Sequence, residues 1–227
     1  MIVSIHIPKT AGTSLRCALS KEFGQQLLLD YGRNNPDSTL ELKFRKFLIQ
    51  HPNLSFNKSI INYQYRIIHG HFKADKYKQI TSHAKYTVFF RDPISRVVSH
   101  YFYLKKQKDK ILPLRDMIRD NQLSLKEFCQ LEFIKNYYQR FVTKFIEIED
   151  LSFVGLTEYY EESIRLFNRI FHTNLEVLFL NQGVVKDYDS IINHMGIYSE
   201  IKESQKENQL IYDQARIKFD RLRQEYL

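Results

Sequence analysis

Three short apolar runs, each cut off by a turn-forming residue, constrain this chain most. Ile2 to Ile7 stops at Pro8, Tyr65 to His69 stops at Gly70, and Tyr86 to Phe90 stops at Arg91-Asp92-Pro93. Runs this short, rich in β-branched and aromatic residues, read as strands. Phe153 to Leu156 and Val177 to Leu180 predict a fourth and a fifth. Helical patterns lie between them: Thr13 to Phe23, Leu40 to Gln50, Pro93 to Lys105, Glu158 to Phe171, and a long charged amphipathic stretch from Glu203 to Tyr226. Asp92 before Pro93 is a good N-cap, and Ser124 with Glu127 forms a capping box for a helix into the 130s. Strands alternating with helices predict an α/β fold with a mostly parallel central sheet and helices on both faces. No repeat and no Ser/Gly/Pro-rich linker divides the chain, and Gly32 to Ser38 is the clearest polar loop. Residues 1–227 therefore read as one domain.

Composition removes several alternatives. Two cysteines, Cys17 and Cys129, cannot build a disulfide framework or a four-cysteine zinc site. His, Cys and acidic residues show no compact metal-ligand spacing, so no metal is expected. No apolar run is long enough to span a membrane. The opening MIVSIHIPKT lacks the basic-then-apolar order of a secretory signal, which predicts a cytoplasmic setting. The formal net charge is +8, and Lys58 to Lys110 holds twelve Lys and Arg against three acids, Asp75, Asp92 and Asp109. That window carries the whole excess and favours an anionic partner.

In a parallel sheet, ligands bind beyond the carboxyl ends of the strands. The informative residues are then Pro8 to Ser14, Gly70 to Phe72 and Arg91 to Ser99. The first segment, Pro8-Lys9-Thr10-Ala11-Gly12-Thr13-Ser14, carries one Lys, one Gly and three hydroxyls between a strand and a helix. Backbone amides and the positive helix end converge on an anion in such a layout. Gly12 permits close backbone approach, Thr10, Thr13 and Ser14 can donate to oxyanions, and Lys9 supplies a point charge. Lys9 precedes the Gly, so the order is not that of a Walker A loop. In the second segment, Arg91 leaves a strand end and Ser99 lies about two helical turns on, where both can reach one phosphate.

Together PKTAGTS and FRDPISRVVSHY resemble the two nucleotide-binding motifs of sulfotransferases that use 3′-phosphoadenosine 5′-phosphosulfate (PAPS). The wording is nearest to the carbohydrate branch that includes the heparan sulfate 2-O-sulfotransferases and related bacterial proteins. The resemblance implies a P-loop-like sulfotransferase fold. It also implies that Lys9, Thr10, Ala11, Gly12, Thr13 and Ser14 hold the phosphosulfate and that Arg91 and Ser99 hold the 3′-phosphate. NYYQRF (136–141), GLTE (155–158) and NQLIY (208–212) look like further family landmarks. The chain is shorter than most relatives, which leaves the acceptor open.

The resemblance implies in-line sulfuryl transfer to a hydroxyl of a saccharide, with no nucleic acid as partner. A hydroxyl needs a base, and Lys9 neutralises the leaving oxygen. His69 and His71 lie two apart, so strand periodicity cannot choose between them. The resemblance places the base directly before Phe72 and so selects His71. His6 and His100 read as packing or surface residues. Two other readings compete. A nucleotide kinase-like phosphotransferase predicts dependence on ATP and Mg²⁺. A non-enzymatic binder of anionic glycan or nucleic acid predicts steep salt dependence and no need for His71.

Overall fold

The computed structural model describes residues 1–31, 40–80, 83–106, 113–120, 122–180 and 196–227. The polar loop Gly32 to Ser38 lies outside them. Among the described residues, five strands form one sheet: β1 (Ile2–Ile5), β2 (Leu27–Asp30), β3 (Ile67–Gly70), β4 (Lys85–Phe90) and β5 (Phe153–Leu156). Their order is β2-β3-β1-β4-β5, and every pairing is parallel. All four positions of β1, β3 and β5 are buried, so both faces of the sheet are covered. Continuous apolar strands rather than alternating ones follow from that double burial. The buried apolar side chains form one cluster.

Helices α1 (Gly12–Phe23), α2 (Leu40–Gln50), α3 (Ser55–Gln64) and α4 (Pro93–Lys106) come first. Then follow α5 (Pro113–Arg119), α6 (Leu125–Gln130), α7 (Glu132–Lys135), α8 (Tyr160–Phe171), α9 (Tyr198–Ser204) and α10 (Lys206–Tyr226). A turn of π-helix spans Gln139–Thr143. Both predicted caps are present: Ser95 N–H donates to Asp92 Oδ1 at 2.7 Å, and Ser124 with Glu127 forms a reciprocal capping box. None of the described helices is long and apolar enough to cross a membrane.

Two expectations about strands need correction. Val177 to Leu180 joins no ladder. It runs beside α1, where Lys21 pairs with Glu176 at 2.6 Å and the Ser14 hydroxyl holds the backbone of Leu180. The remaining strand is Leu27–Asp30, whose LLLD sequence has no β-branched residue to announce it. Gly70 is obligatory for its pairing, because a Cβ there would sit 1.8 Å from the Asp30 carbonyl oxygen. The helix Ser55–Gln64 was likewise not foreseen, and the C-terminal helix starts at Lys206 rather than Glu203, after a separate short helix.

Candidate functional site

The ends of β1, β3 and β4, the three central strands, bring the predicted segments to one edge. The chain leaves β1 through two residues with positive φ, Lys9 at 75° and Ala11 at 59°. Non-glycine residues adopt that conformation at a cost, and such strain gathers at functional turns. Backbone curled in this way is of the kind that presents consecutive amides to an anion. No side chain caps α1, which leaves its first-turn amides without an acceptor in the helix. The layout is that of an anion cradle.

The predicted cradle residues divide by what their side chains do. Thr13 is exposed at the mouth. Thr10 is buried and its hydroxyl donates to the Ile7 carbonyl at 2.8 Å. Ser14 is buried, and its hydroxyl accepts from Leu180 N–H at 2.9 Å and donates to Leu180 C=O at 3.2 Å. Gly12 also has a packing role. A Cβ on it would lie 1.5 Å from Nε2 of His6, so the missing side chain makes room for that imidazole.

Arg91 reaches across from the end of β4, and its Nη1 donates to the carbonyl of Lys9 at 3.2 Å. The two loops, far apart in sequence, therefore meet at one sheet edge. The Lys9 ammonium stands 4.2 Å from the centre of the Tyr103 ring, a cation–π contact. Burial, with Arg91 beside it, lowers the Lys9 pKa to about 8. Ser99 lies two turns into α4 and is buried. Arg96, on the same helix, is fully buried against the rings of Tyr137 and Tyr138, and its guanidinium has no hydrogen-bond partner among the described residues.

Three histidines at the carboxyl ends of β1 and β3 are stacked. His6 lies against His69 with ring centroids 5.3 Å apart and against His71 at 4.3 Å. Tyr31 meets all three edge-on, and its hydroxyl is 3.0 Å from His6 Nδ1. His69 is wholly enclosed, with Nδ1 bonded to Ser4 Oγ at 2.9 Å, and burial drives its pKa to about 3. His71 has left the strand; the residue as a whole is exposed, while its ring is partly desolvated against His6 and Tyr31. Its Nδ1 is 2.8 Å from the His6 carbonyl oxygen, which can only accept, so Nδ1 carries the proton and Nε2 the lone pair. Its amide donates to the Asp30 carbonyl at 2.8 Å. Desolvation lowers the His71 pKa, with the His6 carbonyl and Asp30 opposing it. The stacking keeps ring faces together, and no group of three metal-ligating side chains converges among the described residues.

Four further residues border the site: Tyr31, to which the sequence assigned no role, Tyr103, and His6 and His100, which read from the sequence as packing or surface residues. His100 follows Ser99 and lies in the field of Arg96, Lys9 and His71, its pKa pushed by burial to about 3. Tyr103 lies three residues further along α4, on the same face. The run of hydroxyl-bearing and ring-bearing residues in VVSHYFY was the available signal. Of Tyr101, Phe102 and Tyr103, only Tyr103 is exposed, while the Tyr101 hydroxyl donates inward to Leu123. Lys105 and Lys106 close α4, and Lys108 and Lys110 lie outside the described residues.

No family model and no curated protein matches this chain. Among solved structures, it is similar to a mouse sulfotransferase, SULT7A1, complexed with PAP, at TM-score 0.44 and 11% identity over 95% of this chain and 88% of that one. It is also similar to a sulfotransferase from Alicyclobacillus acidocaldarius, at TM-score 0.39 and 15% identity over 92% and 95%. Likeness at that level leaves the chemistry to be judged from the residues themselves.

Proposed function

We propose that this protein is a sulfotransferase that moves the sulfuryl group of PAPS to an acceptor hydroxyl of a carbohydrate. The observation that carries the reading is the contact of Arg91 with the Lys9 carbonyl. It brings a cradle suited to one anion and a guanidinium suited to another to the same sheet edge, which supports a nucleotide with phosphates on both its 5′ and 3′ positions as the ligand. The residues fit such a ligand. The uncapped start of α1, the curled backbone at Lys9 to Ala11, and Thr13 face the phosphosulfate, while Arg91 and Ser99 serve the 3′-phosphate.

In this reading the acceptor oxygen attacks sulfur in line with the bridging oxygen of the phosphosulfate. The new O–S bond forms as the old one breaks. The hydroxyl proton passes to Nε2 of His71, and the electron pair left on the phosphate oxygen is met by the Lys9 ammonium. Positioning and charge stabilisation supply most of the acceleration, as in phosphoryl transfer. His71 suits the base role better than His69, which is enclosed and bonded to Ser4.

The test is a binding titration of 3′-phosphoadenosine 5′-phosphate against AMP and ATP. Preference for the 3′-phosphorylated ligand, lost in Arg91→Ala, is the expected result. Equal or stronger binding of ATP overturns the reading in favour of a phosphotransferase.

A further inference from the structure

Three consecutive residues at the exit of β4 have their backbone gripped from outside the turn. The Phe90 carbonyl accepts from the Thr157 hydroxyl at 2.9 Å. The Arg91 carbonyl accepts from the Tyr138 hydroxyl. The Asp92 amide donates to Glu158 Oε1 at 2.8 Å. Each gripping residue falls in a segment that the sequence marks as a landmark without a task.

The grips are themselves held by α10. The Tyr212 hydroxyl donates to Glu158 Oε2 at 3.0 Å. The Asn208 side chain accepts from Tyr138 N–H at 3.0 Å and donates to the Ile134 carbonyl at 3.0 Å. Asn208 and Tyr212 are four apart, so they share a helix face, and both are buried. Tyr138 also packs edge-on against Phe90 with centroids 5.2 Å apart, next to a turn of π-helix. Such a turn could satisfy its polar groups with water. Here polar side chains from separate parts of the chain do so, and the residue at the centre, Arg91, is the one that crosses to the Lys9 loop.

We infer that Tyr138, Glu158 and Tyr212 are positioning residues that aim Arg91 at the 3′-phosphate, so that the nucleotide preference of the site is set from α10. This rests on the nucleotide reading above. The three residues touch no ligand. They fix the backbone from which the guanidinium projects, and a guanidinium fork must be placed closely to meet a phosphate with two parallel bonds.

Calorimetric titration of the wild type and of Tyr138→Phe, Glu158→Ala, Glu158→Gln and Tyr212→Phe with 3′-phosphoadenosine 5′-phosphate and with AMP tests this. Tyr138→Phe and Glu158→Ala each lower the preference for the 3′-phosphorylated nucleotide about tenfold, the scale of one lost hydrogen bond, with AMP affinity unchanged. Glu158→Gln keeps most of the preference, because its carbonyl still accepts from Asp92 N–H. Adding Glu158→Ala to Arg91→Ala costs nothing further. A merely structural role lowers affinity for both nucleotides alike, and that result, or an unchanged ratio in the folded variants, overturns the inference. A wild type without preference overturns the nucleotide reading and this inference with it.

Discussion

His71 Nδ1–H donates a hydrogen bond to the carbonyl oxygen of His6, 2.8 Å away, so the neutral ring has one tautomer and one basic nitrogen. That bond ties the candidate base to the residue that opens the cradle loop. The expected outcome of His71→Ala is nucleotide affinity within about threefold of wild type and turnover reduced by roughly 10² to 10⁴. Single-turnover sulfuryl transfer beside a nucleotide titration checks it. The same phenotype in His69→Ala, with His71→Ala active, sinks the assignment.

Two groups frame the dependence of rate on pH. Burial lowers the His71 pKa, so the base is neutral at pH 7 and is lost only as the pH falls below its ordinary value of about 6.5. Lys9, at about 8, keeps its charge below that value and loses it above. The profile of kcat/KM for PAPS is expected to be bell-shaped, with its alkaline limb near pH 8. Lys9→Arg should abolish that limb, since a guanidinium does not titrate there. An alkaline limb that persists in Lys9→Arg assigns it to another group.

Gly12 is where the His6 imidazole needs room. Gly12→Ala puts a methyl group into that ring, 1.5 Å from Nε2, and the ring must move. The expected cost is about 1–3 kcal/mol of stability, together with loss of the stack on His71. Thermal unfolding of Gly12→Ala, His6→Ala and the double variant reads the coupling. The double variant should be more stable than the sum of the two single losses predicts. Strict additivity would show that the two positions do not collide.

Stability should fall in acid. Burial holds His6, His69 and His100 neutral in the folded protein, His69 and His100 down to about pH 3. Their folded pKa values lie below the unfolded value of about 6.5, so between these limits the unfolded chain binds more protons. Stability is then fully present above pH 6.5 and declines as the pH drops toward 3. Melting temperatures measured from pH 7.5 to 5 check the slope, which His69→Gln should make shallower. A slope that His69→Gln leaves unchanged would rule out its contribution.

The strands that frame the site were legible because β-branched and aromatic residues fill them and Pro8, Gly70 and Pro93 punctuate them. Leu27–Asp30 was not, because leucine suits helix and strand alike and the pairing depends on Gly70, forty residues away. Val177 to Leu180 looks like a strand by composition yet meets helix α1 instead of a sheet edge. Within the site, the two loops could be named from their residue types. The division of labour could not. Thr10 and Ser14 read as ligand donors, but which way a hydroxyl turns is decided by tertiary neighbours such as Ile7 and Leu180. The histidine stack joins the exits of two strands and has no signature in either one alone.

The resting place of the Lys9 amine, above the Tyr103 ring and beside Arg91, has a thermodynamic consequence. At pH 8 about half of these amines are uncharged, and an arriving dianion draws the missing protons from solvent. Association at that pH should therefore consume up to roughly half a proton per nucleotide bound. The measured heat would then differ between phosphate and Tris buffers by that fraction of the difference in their ionisation enthalpies.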